Sequence, residues 1–147
     1  MKNYRVGLSY IGIIAVVLIM IPNVMYVFAT PVNDVLSNNE AKFWLWKVLE
    51  NIGRFGLMIT LCFVVNKKPK QRNQLFNISA ISTLSAYYIL WLLYFKGIFN
   101  GLTLVGLAVF PTIFFILVSR KTSNIFSTLF AVMFGFFHIA ITSSNFL

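Results

Sequence analysis

The chain alternates between long apolar runs and short polar punctuation. Between Arg5 and Asp34 lie 28 residues without a charge, between Arg72 and Lys96 there are 23, between Lys96 and Arg120 another 23, and 26 follow Lys121. A helix crossing a bilayer needs about 20 predominantly apolar residues, so each run is long enough to cross once and too short to cross twice. A fifth segment ends at the basic cluster Asn66-Lys67-Lys68. Its clean apolar part, 55–65, becomes a full span only if Glu50, Asn51 and Arg54 enter the membrane with it. The pattern predicts an all-α, multi-pass helical bundle of five transmembrane helices in one domain, spanning 7–28, 45–65, 75–95, 101–119 and 125–145.

Two alternatives bear on that count. Residues 40–50 also read as an amphipathic surface helix, which would leave 52–65 as a short or re-entrant segment. Residues 1–29 have a basic start, an apolar stretch and Val27-Phe28-Ala29 before Thr30, the outline of a signal peptide. Pro22, Asn23 and Tyr26 carry the segment beyond a usual signal core, which favours a retained span.

Composition supports lipid as the solvent. Hydrophobic residues make up 59% of the 147, aromatic residues 17% and charged ones only 10%, more apolar side chain than a core of this size could hide. Twelve Lys and Arg against three acids give a net charge of +9, which on a soluble chain would point to nucleic acid. The placement of the charges excludes that partner. With a cytoplasmic N-terminus, Lys2, Arg5, Lys67, Lys68, Lys70, Arg72, Arg120 and Lys121 all fall inside, a positive-inside bias that also puts the C-terminus outside. Trp44, Trp46, Trp91 and Tyr94 read as interfacial belt residues, and 31–43 as a flexible outer loop.

Sites of known chemistry are absent from the pattern. Cys62 is the single cysteine, so no internal disulfide forms. No phosphate loop, nucleophile elbow or zinc-binding His pair occurs, and no metal or cofactor is expected. The sequon at Asn77 falls at the inner edge of a span.

Polar residues inside the spans carry the functional signal, because a charge at mid-membrane is costly and pairs with something. Glu50 and Arg54, four apart, share a helix face, with Lys47 and Asn51 beside them. Gly53, Gly56 and Thr60 read as an opposed face of small residues where another helix comes close. In the last span Thr128, Ala131, Gly135, His138, Thr142 and Asn145 recur at three and four and turn the only histidine toward protein. Ser79, Ser82, Thr83, Ser85 and Ala86 read as a packing face of the third span, and Pro111 as a kink in the fourth. A rise of 1.5 Å per residue puts Glu50 about 8 Å, Arg54 about 2 Å and His138 about 4 Å outward of the centre, with Tyr87 and Tyr88 at about 3 to 5 Å. Asn23 also lies in the outer half. These levels predict an outward-opening polar pocket lined by Asn23, Glu50, Asn51, Arg54, Tyr87, Tyr88 and His138.

Leu49-Glu50-Asn51-Ile52-Gly53-Arg54 and Phe134-Gly135-Phe136-Phe137-His138-Ile139-Ala140-Ile141-Thr142-Ser143-Ser144-Asn145 resemble patterns in uncharacterised small multi-span membrane proteins of low-GC Gram-positive bacteria. The resemblance implies a bacterial cytoplasmic membrane and no particular activity. In gross outline five spans also resemble the tryptophan-rich sensory protein family. The dense Trp and Pro pattern of that family is missing, so none of its residues carries over.

Three functional classes fit. The first is a non-enzymatic protein that binds a small polar or amphipathic ligand or serves transport, in a homo-oligomer or a larger membrane complex. The second is an enzyme acting on a lipid or isoprenoid with Glu50 and His138 as acid and base, a thin catalytic set. The third is an accessory or immunity-type subunit docking on another membrane protein. The polar pocket favours the first.

Overall fold

A computed structural model describes residues 3–31, 33–71 and 74–147. The chain forms β1 (Tyr4–Val6), α1 (Tyr10–Phe28), a single 3-10 turn at Leu36–Asn38, α2 (Trp44–Phe63), β2 (Val64–Asn66), α3 (Gln74–Phe95), α4 (Gly101–Lys121) and α5 (Ile125–Phe146). The five helices follow the apolar runs to within a few residues. Four of them, α1, α3, α4 and α5, are long and apolar enough to cross a membrane. The fifth, α2, is one unbroken helix of 20 residues that contains Lys47, Glu50 and Arg54. It packs lengthwise along α5 rather than splitting into a surface piece and a short insert.

Local chemistry sets the helix ends. Ser9 caps α1 by accepting from the Gly12 amide, and Asn100 with Thr103 forms a reciprocal capping box on α4. After α3, Gly97 adopts a positive φ of 74°. Its amide bonds the Tyr94 carbonyl and that of Ile98 bonds Leu93, the closing pattern that uses a left-handed residue. Asn124 caps α5 and donates to the Thr60 and Val64 carbonyls at 2.8 and 2.7 Å. One side chain thus starts α5 and satisfies the end of α2.

β1 and β2 pair antiparallel, Tyr4 opposite Asn66 and Val6 opposite Val64, a ribbon the all-α expectation does not contain. Asn66 Nδ2 and the Tyr4 hydroxyl both donate to the Ser123 carbonyl. The ribbon and the turn between α4 and α5 therefore share one end of the bundle. Arg5, Lys67, Lys68, Lys70, Arg120 and Lys121 gather there, with no acid among the described residues. At the opposite end lie Asp34, Glu40, Lys42 and Lys96.

α4 is the central helix, flanked by α3 and α5, with α1 set against α2, α4 and α3. Its buried positions include Leu104, Leu107, Ala108, Pro111, Phe115 and Val118. Large apolar side chains are exposed on the outside of the bundle: Ile14 and Val17 on α1, Ile52, Phe55 and Ile59 on α2, Ile81 and Ile89 on α3, Val132 and Phe136 on α5. On α2 this apolar face is outermost, while Glu50 is buried and Lys47 and Arg54 stay exposed or half-exposed beside it.

Several expectations about faces are corrected. Glu50, Gly53 and Leu57 are buried on one seam of α2, and a Cβ on Gly53 or Gly56 would strike Phe134 or Phe130 of α5. The polar and glycine positions thus meet the same helix instead of opposing it, since residues three apart lie only about 60° apart around a helix. Ser79, Ser82 and Ser85 stay exposed, while α3 buries Tyr87, Trp91 and Tyr94. Trp91 and Tyr94 are accordingly core residues rather than belt residues.

Candidate functional site: a cavity between five helices

All five helices contribute to a cavity of about 570 Å³. Six of the seven residues anticipated from the sequence, Asn23, Glu50, Asn51, Arg54, Tyr87 and His138, line it. Its centre of polarity is Glu50, buried on α2. Glu50 Oε1 accepts from Arg54 Nη2 at 2.6 Å and lies 2.8 Å from His138 Nδ1. The first contact follows from four-residue spacing on one helix, the second from the close approach of α5 that Gly53 permits. Phe134 stacks on the His138 ring at 5.0 Å, and the Arg54 guanidinium sits 5.6 Å from the Phe134 centroid. The carboxylate is thus held by two helices and the imidazole is fixed in orientation. Oε2 accepts no hydrogen bond among the described residues, and Arg54 uses only one of its nitrogens on protein.

The seventh residue, Tyr88, does not line the cavity. Its hydroxyl donates to the Leu18 carbonyl at 2.7 Å. Pro22 has no N–H, so the carbonyl four residues earlier loses its helical donor, and Tyr88 replaces it. One position away, Asn23 Nδ2 donates to Ile19 O at 2.8 Å and to the Tyr87 hydroxyl at 2.9 Å. The pair Pro22-Asn23 therefore docks α1 on the two tyrosines of α3.

Residues beyond the anticipated set complete the wall. Lys47, Leu57 and Met58 extend it on α2, Trp91 on α3, Leu107 and Phe115 on α4, Thr142 on α5. Trp91 is 6% exposed and packs edge-on against Tyr87, ring centroids 6.3 Å apart. Among the described residues no three His, Cys, Asp or Glu side chains group as metal ligands would.

The mouth at the end away from the basic cluster, expected to be open, is covered. Residues 34–42 form a strap across it, and Leu36 and Asn39 become part of the wall. Asp34 accepts from the Tyr26 hydroxyl at 2.7 Å and from Tyr94 at 2.8 Å. Asn39 Nδ2 donates to Thr142 Oγ1 at 3.1 Å, Asn145 Nδ2 donates to Asn39 Oδ1 and the Glu40 carbonyl, and Lys42 reaches the Ser144 carbonyl. Burial pushes the Asp34 carboxyl up, but the two tyrosine hydroxyls and the backbone amides of Ser37 and Leu36 outweigh it and hold it below the usual aspartate value. The segment read as a flexible loop is tied to α1, α3 and α5. Its anchors are far away in sequence, which is why composition alone reads it as free.

No family model, curated protein or solved structure matches the chain.

Proposed function

We propose that the chain is a non-enzymatic membrane protein of five spans, which binds a small ligand in a polar pocket of the outer leaflet, as a receptor or as part of a transport assembly. The supporting observation is Glu50, held by Arg54 and His138 in the wall of a cavity built by all five helices. An ion pair needed only for packing would be sealed between helices. This one borders open volume, with an unused carboxylate oxygen and unused guanidinium nitrogens. The apolar outer face of α2 and the burial of Glu50 favour α2 as the fifth span. The six basic residues at one end favour that end as cytoplasmic, with the C-terminus external, in a bacterial cytoplasmic membrane. A path for transport through so short a chain would require further copies or a partner.

The test is mass spectrometry of the purified protein for a co-purifying small molecule, with Glu50→Gln and His138→Ala compared to wild type at matched thermal stability. A molecule present in the wild type and lost from both variants supports the pocket. Equal occupancy in all three removes Glu50 and His138 from the site.

A second reading, an accessory subunit docking on another membrane protein, is favoured by the exposed Ser79, Ser82 and Ser85 on α3. Small residues facing outward on a span suit close contact with another helix. Bulky substitutions there should release a co-purifying chain if this reading holds, and leave composition unchanged if it does not.

A further inference from the structure

We infer that the cavity takes an anionic amphiphile, one apolar chain carrying a carboxylate or phosphate head, admitted from the outer leaflet between α1 and α2. The inference rests on the reading of the cavity as a ligand site and adds the chemistry of the occupant and its route.

The route follows from which parts of the wall are covered. The wall residues of α3 and α4 are all buried, as are Phe134, Ile141 and Thr142 of α5. The exposed or half-exposed ones belong chiefly to α1, α2 and the strap: Met20, Asn23, Lys47, Asn51, Arg54 and Met58 among them. α1 and α2 touch near the basic end, where a Cβ on Gly12 would fall 2.1 Å from the Leu61 carbonyl. Toward the other end the cavity lies between them. With the strap across the mouth, the uncovered side faces lipid, so a molecule that partitions into the bilayer reaches the site directly.

The head follows from the balance of unused groups. Glu50 is answered twice, by Arg54 and by His138. Arg54 keeps Nε and Nη1 for a ligand, and its side chain is 40% exposed. Lys47 borders the same volume with no acidic partner among the described residues. Two cations thus face one carboxylate, which Arg54 and His138 already engage through one of its oxygens. Such a wall suits oxygens bearing negative charge.

The tail follows from depth. With 1.5 Å per residue from each helix centre, Lys47 and Trp91 both lie about 10 Å outward and Arg54 near the middle. Leu57 and Phe115 lie about 5 to 6 Å inward of the centre by the same rise. The inner part of the cavity is thus apolar, and its polar groups lie from the middle outward, beside Leu36, Leu104, Leu107 and Ile141. A volume of about 570 Å³ falls within the range typical of a site for one small ligand, about 300–1,000 Å³.

The experiment uses the full chain in an uncharged detergent, with dodecanoate, dodecyl phosphate, dodecanol and dodecyltrimethylammonium titrated in native mass spectrometry. The two anions should bind, with the alcohol and the ammonium about tenfold weaker. Lys47→Ala and Arg54→Gln should each weaken the anions about tenfold and leave dodecanol unchanged. Met58→Trp and Leu107→Phe, which fill the cavity from its open and its buried side, should weaken every probe. Dodecanol binding as tightly as the anions, or anion binding indifferent to both cation variants, overturns the anionic head. If filling the cavity still blocks all probes in that case, the ligand site itself stands. Indifference of every probe to both filling variants overturns the ligand site. Displacement of dodecyl phosphate by a diacyl phosphatidylglycerol overturns the single chain and makes a bilayer lipid the source.

Discussion

Gly53→Ala puts one methyl group at the tightest point between α2 and α5. The new Cβ would lie 2.6 Å from Phe134 N and 2.7 Å from Phe134 Cα. Those are backbone atoms that cannot rotate away, and carbon contacts relax only at about 3.5–4.0 Å, so the two helices must part by about 1 Å. Overpacking of this kind costs about 1–3 kcal/mol, and replacing glycine by alanine within a helix returns about 0.5–1 kcal/mol. The net expectation is a loss of up to about 2.5 kcal/mol, or up to about 10 °C in Tm for a chain of this size. Gly7→Ala is the control, since its Cβ would meet nothing closer than 3.9 Å. The same displacement lengthens the 2.8 Å contact between Glu50 and His138, so ligand occupancy should fall along with stability. Thermal unfolding in mild detergent and ligand mass spectrometry on the same samples give both numbers. A Gly53→Ala protein that melts above the wild-type temperature with ligand occupancy unchanged would refute the close α2–α5 approach and the geometry of the Glu50 site with it.

Other consequences are open to measurement. The folded-state value of Asp34 is depressed, so its contribution to stability is complete above the ordinary aspartate value of about 3.9 and fades as pH falls through and below it. Melting temperature should therefore drop on acidification below about pH 4, and Asp34→Asn should flatten that drop; an unchanged profile would mean that the carboxylate does not hold the strap. Tyr88→Phe leaves the Leu18 carbonyl without its donor and should cost about 1–3 kcal/mol without altering ligand binding, whereas a selective loss of binding would return Tyr88 to the site. Single cysteines at Asn38 and Lys96 should react with an impermeant maleimide added to intact cells and one at Lys68 should not, against the buried Cys62 as a silent background. The reverse labelling pattern would invert the orientation.

Most of the helical architecture was legible because apolar length is a one-dimensional property, and the membrane requirement for about 20 residues leaves little choice of boundary. The convergence of Glu50, Arg54 and His138 was legible for a related reason: in a bundle of antiparallel spans, sequence distance from the helix ends converts directly to depth. Azimuth is harder. Whether Gly53 faces with Glu50 or against it depends on how neighbouring helices are arranged around α2, and that information is not local. The strap and the β1–β2 ribbon were illegible because three-residue strands carry no periodic signal, and because Asp34 and Asn39 find their partners 60 and 103 residues away. Tyr88 is the instructive miss. Pro22 announces an orphaned carbonyl at Leu18, and a hydroxyl at matching depth on another span was the natural candidate to answer it.

The central question is why α2 keeps three charged residues when its neighbours keep almost none. Lipid contact does not require them, since the outer face of α2 is Ile52, Phe55 and Ile59. Orientation is already supplied by the six basic residues at the other end of the bundle. Packing accounts for Glu50 with one partner, because a single cation or a single imidazole would satisfy a buried carboxylate. It does not account for both, nor for Lys47 bordering the same volume with no acid beside it. The excess is cationic, lies on the wall of a cavity and faces a side where the lining is exposed or half-exposed. A fold selected only for stability would replace such a cluster with well-packed apolar side chains at little cost. Its retention is the physical argument for a ligand, and Lys47, the most exposed and least partnered of the three, is the position where that argument is most sharply exposed to test.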